Sequence, residues 1–388
     1  MPTVVRSRML IDGTGREPVP DGALVIDGGR VVAVGPYASL RVPPGAEVLD
    51  LRDHWVLPGL FDAHTHLGMA FGEDLSRPIP HPEQYRMLVA ARFLWMDLKR
   101  GITTIRDMSE PNLRGVPCRF ALRERLLPGP RLLIGARGLR ATNGWGQNAI
   151  PVDGPEAIRK AARENLREGA DFIKIYVTGE TFGDTATVQH YTRAEIEAAV
   201  DEAHRAGKRV AAHAHGGPGL RACLEAGVDT IEHGTRLEPE DIELFLKHGA
   251  WLVATLGPYW HDGILSPGRP PAFLSGVRAA QEAMARVFPL AFQAGVKLTV
   301  GSDSRHGEFI FELEMLVKLG LSPMEAIVAA TRNAADACGI LDQVGTLEPG
   351  KQADLIAVRE NPLADISAVR RVEVVVQAGE RFDPAGWW

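Results

Sequence analysis

The middle of the chain alternates short apolar runs with amphipathic stretches, and that alternation limits the fold more than any other feature. The apolar runs fall at 60–66, 102–108, 131–138, 172–178, 210–215, 230–234, 252–256 and 297–303. Each has strand length. Helical patterns separate them, as at 83–99, 155–168, 193–206 and 275–293. Gly101, Gly169, Gly207, Gly227, Gly249 and Gly295 stand near the expected helix ends, where a left-handed cap is favoured. Repeated strand–helix units build a parallel sheet. Eight of them predict a closed α/β barrel of the (β/α)8 TIM type, with its active site at the C-terminal ends of the strands. Such a barrel takes about 250 residues. The chain has 388, so a second, smaller unit is expected.

That unit is readable at both ends. Gly28-Gly29 separates Ala23-Leu24-Val25-Ile26 from Val31-Val32-Ala33-Val34, a hairpin signal. Near the other end, 353–358 and 372–376 are strand-like, with a turn-rich stretch around Asn361-Pro362 between them. The expectation is a small composite β-sandwich domain from residues 1–56 plus 345–388, with the barrel in 57–344.

Composition narrows the partners. A hydrophobic fraction of 45% suits a globular protein with a large core. The net charge of -6 comes with no basic cluster able to follow a phosphate backbone, which argues against nucleic acid. Cys118, Cys223 and Cys338 are far apart and form no C-x-x-C, as in a reducing compartment. Met1 to Leu10 carries arginines and no apolar run of signal-peptide length. No stretch approaches the ~20 apolar residues that span a bilayer. A cytoplasmic protein is expected, acting alone or as a homo-oligomer.

Ligand-capable side chains gather at the expected strand ends. His64 and His66 close the first strand and, two residues apart, share one face of it. Lys174 lies inside the apolar fourth strand, where a cation is costly to bury; snorkelling or an ion pair would be the bland account. His213 ends the fifth strand, His233 the sixth and Asp303 the eighth. Each alone could be structural: a histidine can simply be hydrogen-bonded, and Asp303 could cap the helical pattern that follows. Six such residues at the mouth of one barrel point instead to a metal site. Nitrogen and oxygen donors without thiolate suit zinc or a similar first-row ion.

These positions, with Pro58-Gly59-Leu60-Phe61-Asp62-Ala63-His64-Thr65-His66, Glu232-His233-Gly234, Gly301-Ser302-Asp303 and 344–355, resemble the amidohydrolase superfamily of metal-dependent hydrolases. Within the superfamily the chain looks like the branch containing Xaa-Pro and Xaa-Arg dipeptidases and imidazolonepropionase-like proteins. The resemblance implies two divalent metals, zinc being usual. His64, His66 and Asp303 would hold the first, His213 and His233 the second, and a carboxylated Lys174 would bridge them. A water shared by two such ions ionises near neutral pH and becomes a nucleophile. Asp303 is then the expected catalytic proton shuttle, in a hydrolase cleaving a C–N amide-type bond of a dipeptide, N-acyl amino acid or related amide. The same site could take a carbamate, lactone or phosphotriester. A barrel that kept the fold as a binding or scaffold protein would be expected to have lost ligands.

Substrate choice in a barrel rests on the loops after the strands. Tyr176 shares the face of Lys174, and His215 that of His213. His215 could meet substrate or bond locally. Tyr259 could wall a pocket or simply pack. Arg305 could grip a carboxylate or face solvent. Asp107 could orient a metal-bound histidine or pair with an arginine such as Arg106. The related branch commonly shows Thr-Gly-Gly-His-Gly after the third strand. Here Thr142-Asn143-Gly144-Trp145-Gly146 puts Trp145 in the histidine's place. Indole donates one hydrogen bond and cannot act as a base, so a more aromatic pocket is expected, open to N-acyl or aryl amides.

Overall fold

A computed structural model describes residues 1–69, 81–146, 148–180, 182–183, 185–266 and 268–383. The eight expected strands are present: β1 (Leu60–Thr65), β2 (Ile102–Asp107), β3 (Arg131–Ile134), β4 (Phe172–Tyr176), β5 (Arg209–Gly216), β6 (Thr230–Arg236), β7 (Trp251–Ala254) and β8 (Lys297–Val300). Their residues are almost all buried, as in a parallel sheet covered on both faces. Helix Glu83–Lys99 has the expected bounds, and Pro271–Ala294 begins four residues earlier than its pattern suggested. Gly249 and Gly295 cap their helices with φ of +67° and +85°, a conformation that costs glycine little.

The strands are all parallel, but the expected closed barrel is divided into two ladders. β1 to β3 form one sheet; β4 to β8, with Gly138–Arg140 and Ala149–Pro151, form a seven-stranded one. A single backbone bond crosses each seam: Asp171 N–H to Ile134 O and Asp303 N–H to His64 O, both 2.8 Å. The reason lies in two aspartates. Asp171 Oδ2 accepts the Ile134 N–H at 2.8 Å, and Asp62 Oδ1 accepts the Ser302 N–H at 3.0 Å. Each carboxylate thus takes a backbone donor that a longer ladder would use. Gly301 also lies so close to β1 that an added Cβ would sit 2.3 Å from that of His64.

The third expected strand is shorter than its apolar run. It stops at Ile134, and the chain rejoins the second sheet at Gly138–Arg140, beside β4.

The two ends of the chain pair with each other. Thr3–Leu10, Val19–Pro20, Gly22–Asp27, Arg30–Pro36 and Glu47–Pro58 join Leu355–Val358, Val374–Gln377 and Glu380–Arg381 in one eight-stranded sheet. The hairpin turns through Gly28 and Gly29, at φ +55° and +77°. Hydrogen bonding therefore makes one sheet where two of a sandwich were expected. The 12-residue strand Glu47–Pro58 is the cause, since it pairs with Thr3–Leu10 along its length and with Leu355–Val358 at its end. Val5, Leu24, Val56, Leu355 and Val376 form a core of their own here.

Candidate metal centre

The strand ends bring the six expected ligand residues into one buried cluster. The ligand atoms of His64, His66 and Asp303 all lie within 4.8 Å of one another. Asp303 Oδ1 stands 3.5 Å from His64 Nε2 and 3.9 Å from His66 Nε2. The His233 ring centroid is 4.7 Å from that of His64 and 4.6 Å from that of His213. Lys174, on β4, is fully buried, and its Nζ has no hydrogen-bond partner. It sits 4.9 Å from the Tyr176 ring centre.

Each imidazole is oriented by a bond at its other nitrogen, which fixes the nitrogen left to face the cluster. His64 Nδ1 meets Glu232 Oε2 at 2.7 Å, leaving Nε2 without a partner. His66 Nδ1 faces the Ser109 carbonyl at 3.2 Å. His233 Nδ1 meets Thr255 Oγ1 at 2.8 Å, and His213 Nε2 faces the Gly179 carbonyl at 3.1 Å. Two residues of the set have strained backbones, His233 with φ +77° and Asp303 with φ +48°. Such strain is held only where the surroundings impose it, and it clusters at functional sites.

Electrostatics favours metal ligation. Burial pushes His66, His213 and His233 well below the usual imidazole range, so all three are neutral, as a metal requires. Burial also pulls the Lys174 amine down to about 8. Burial alone would raise Glu232, but Arg106 and then His64 outweigh it and hold the carboxylate at about 2. The residues fit a divalent metal: neutral imidazoles, with His64 Nε2 buried and unpartnered, a carboxylate, and a buried amine without a hydrogen-bond partner. Asp303 keeps 18% side-chain exposure against 1% for His64.

The remaining expected residues divide. Tyr176 stacks on His213 with ring centroids 5.3 Å apart, and its hydroxyl accepts from Asn148 Nδ2 at 2.8 Å. His215 bonds Thr235 Oγ1 at 2.8 Å while its Nε2 stays buried without a partner. Tyr259 is buried beside Phe182, centroids 5.2 Å apart. Arg305 lies over Phe311 at 5.3 Å and against Gly257. Trp145 is half-buried in the loop before Ala149–Pro151; among the described residues no hydrogen bond or ring contact ties it to the histidines. The helix after β8 begins at Ile310, too far on for Asp303 to cap it. Arg106 pairs with Glu232 at 2.9 Å, so Asp107 does not have it as its ion-pair partner. Asp107 instead accepts the Leu67 N–H and lies near His66 and Glu110.

Three contributors were not expected. Glu232 stood in a quoted motif without a role, yet a carboxylate inside an apolar strand is itself a signal of a buried partner. Asn148 reaches the cluster from the same loop as Trp145, with Nδ2 3.2 Å from His66 Nδ1. His306 bridges Asp97 at 2.7 Å and the His66 carbonyl at 3.1 Å. Nothing in the pattern around Asn148 or His306 marks them.

Among known proteins, residues 55–381 match the amidohydrolase family, and 22–42 an imidazolonepropionase-like composite domain of bacteria. Ochratoxinase of Aspergillus niger is 29% identical over 432 aligned positions, covering 99% of this chain and 87% of that protein. Imidazolonepropionase of Rhizorhabdus wittichii is 29% identical, covering 88% of this chain and 89% of its own length. A Xaa-Pro dipeptidase solved with methionine in its active site superposes with a TM-score of 0.88 at 30% identity, covering 99% of this chain and 100% of the other. The chain therefore belongs to the amidohydrolase family, in the branch of the Xaa-Pro dipeptidases and imidazolonepropionase-like proteins.

Proposed function

We propose that the chain is a binuclear metal-dependent amidohydrolase that cleaves a C–N amide-type bond. The observation that carries the reading is the convergence of four strand-end histidines, Asp303 and a fully buried, unpartnered Lys174. We read the two parallel ladders as one (β/α)8 barrel around this site, and the sheet from both chain ends as its companion domain. His64, His66 and Asp303 would hold one ion, and His213 and His233 the other. Lys174 fits as a carbamate bridge: an amine with a pKa of about 8 is partly neutral at physiological pH, and only the neutral amine takes up carbon dioxide. Zinc suits the donor set. When bound, the metal pair supplies an ionised water and polarises the scissile carbonyl.

The protein's own groups do the rest. Asp303 accepts the proton of the attacking water and returns it to the leaving amine nitrogen. Glu232, clamped by Arg106, fixes the His64 tautomer. The Tyr176 hydroxyl is kept protonated by burial, available beside the site as a donor. The test is metal analysis after loading with zinc and bicarbonate, then a panel of Xaa-Pro and Xaa-Arg dipeptides, N-acyl amino acids and aryl carbamates. Two metals per chain and turnover of an amide are expected. Fewer than one metal, or turnover of no amide, would overturn the reading. Efficient cleavage of dipeptides alone would remove the aromatic-pocket role of Trp145.

A further inference from the structure

The chain that carries Asp303 out of β8 is tied to the exit of β1 at two points. The Asp303 N–H donates to the His64 carbonyl at 2.8 Å. Three residues on, His306 sets its two ring nitrogens against two acceptors, Nδ1 at 2.7 Å from Asp97 Oδ2 and Nε2 at 3.1 Å from the His66 carbonyl. Each ring nitrogen therefore donates. The Gly307 N–H takes the other Asp97 oxygen, at 2.8 Å. The side chains of His306 and Asp97 are each 1% exposed. The imidazole also stacks on Phe93, with ring centroids 4.1 Å apart and planes 15° from parallel. Phe93 and Asp97 both belong to helix Glu83–Lys99.

This stretch needs to be held. Asp303 and Ser304 are successive non-glycine residues in the left-handed region, with φ of +48° and +72°. Such conformations persist only where the surroundings impose them. Asp62 grips Ser302 on one side of Asp303, and His306 grips the chain on the other. The β1 side is held as firmly. The two carbonyls after that of His66 are taken by buried arginines, Leu67 O by Arg114 Nη1 at 3.1 Å and Gly68 O by Arg86 Nη1 at 2.7 Å. Three successive carbonyls thus accept from side chains in three separate parts of the chain. Of the three, only His306 comes from the stretch that bears a proposed ligand.

We propose that His306 is a positioning residue that fixes Asp303 against His66 and so governs how firmly the first ion is held. The inference rests on the binuclear reading and deepens it, by naming the side chain on which one ion of the pair depends. Asp303 and His66 belong to different sheets, with Asp303 Oδ1 3.9 Å from His66 Nε2. A small slip between the sheets would change that spacing. His213 and His233, assigned to the second ion, lie on β5 and β6. The hydrogen bonds and ring contact of His306 go instead to Asp97, His66 and Phe93. Losing His306 therefore weakens one ion and spares the other.

The experiment loads the wild type, His306→Gln and His306→Met with cobalt(II) and bicarbonate. Visible absorption reports the ligand geometry, and the rate at which pyridine-2,6-dicarboxylate strips each ion reports its retention. Tm confirms that each protein is folded. Glutamine offers an amide N–H to the His66 carbonyl; methionine fills the space without a donor. In His306→Met one ion should leave about 10–100-fold faster, the usual effect of removing an outer partner of a metal ligand. The cobalt spectrum should shift, and the other ion should leave at the wild-type rate. His306→Gln should recover most of the slow rate. Wild-type rates for both ions in His306→Met, or equal acceleration of both, would overturn the proposal. If His306→Met does not fold, Asp97→Asn replaces it, since its single carbonyl oxygen cannot serve both His306 and Gly307. The same loss of one ion supports the proposal, and wild-type retention of both overturns it. If the wild type holds fewer than two ions, the binuclear reading fails separately, and hydrogen–deuterium exchange decides the tie. Faster exchange over residues 60–69 in the His306 variant, with 209–216 unchanged, supports it; equal exchange overturns it.

Discussion

Asp303 and Lys174 carry different burdens in the proposed centre, and substitution separates them. Asp303 is the partly exposed carboxylate, raised by burial and lowered by His64 and Lys174. Asp303→Asn keeps the shape and one coordinating oxygen but cannot take a proton. Turnover should fall by about 10²–10⁴-fold, the usual share of a positioned acid–base group. Its Tm should match the wild type. Near-normal kcat would remove Asp303 from the shuttle role. Lys174 is different, because its buried amine has no hydrogen-bond partner to lose. Lys174→Met should leave the metal-free protein at least as stable, since an apolar side chain is easier to bury than an amine. Metal stoichiometry should drop below two, read by elemental analysis. Two full equivalents in Lys174→Met would exclude the bridge.

These two residues were readable in the sequence because a strand has a two-residue period and a barrel sends its strand ends to one mouth. The same logic recovers His64, His66, His213 and His233. It does not recover Glu232, whose partners His64 and Arg106 come from other strands. Nor does it recover Asn148, which a loop of no regular period carries into the cluster.

At the level of elements, helix identity was legible and the joins between elements were not. The helices Pro155–Arg167 and Arg193–Arg205 were expected from their apolar spacing, but what ties them together lies on their polar faces. Glu202 accepts from Arg163 at 2.7 Å, Arg159 at 3.3 Å and Arg205 at 2.6 Å. The Arg163 bond, ahead of the others, holds its carboxyl down at about 2 against an ordinary 4.5. A depressed carboxylate stabilises the fold above its unfolded pKa, and that contribution fades as pH falls toward the folded value. Arg163 and Arg205 are largely exposed, so solvent screening keeps the contribution small. Glu202→Gln should therefore lower Tm at pH 7, and the gap should narrow to less than half at pH 3. Thermal melts at both values read it directly; an equal gap at pH 3 would place the effect in packing instead of charge. The division of the parallel strands into two ladders was equally hidden, since Asp62 and Asp171 act through side-chain contacts that no periodicity records.

Across the whole molecule, chemistry and stability sit at opposite ends of the strands. The histidines and Asp303 are at the C-terminal mouth. At the base, Arg131 opens β3 and meets Asp354 at 2.7 Å, while also reaching Thr104 on β2 at 2.8 Å. Asp354 Oδ1 accepts the Ala378 N–H at 2.7 Å, and its own carbonyl accepts the Gly59 N–H at 2.9 Å. One residue thus joins the entry to β1 through its backbone, and the C-terminal strands and the foot of the parallel sheet through its carboxylate. It is 4% exposed, so its removal leaves Arg131 short of a partner in a dry place. Breaking a buried pair from one side costs about 3–5 kcal/mol. Asp354→Ala should lower Tm by several degrees while metal content, kcat and KM at 25 °C stay at wild-type values, because no ligand residue touches the pair. A loss of kcat in protein still folded at 25 °C would show that the foot of the parallel strands positions the site as well as supporting it. An unchanged Tm would mean that the sheet built from both chain ends is held by its apolar core alone.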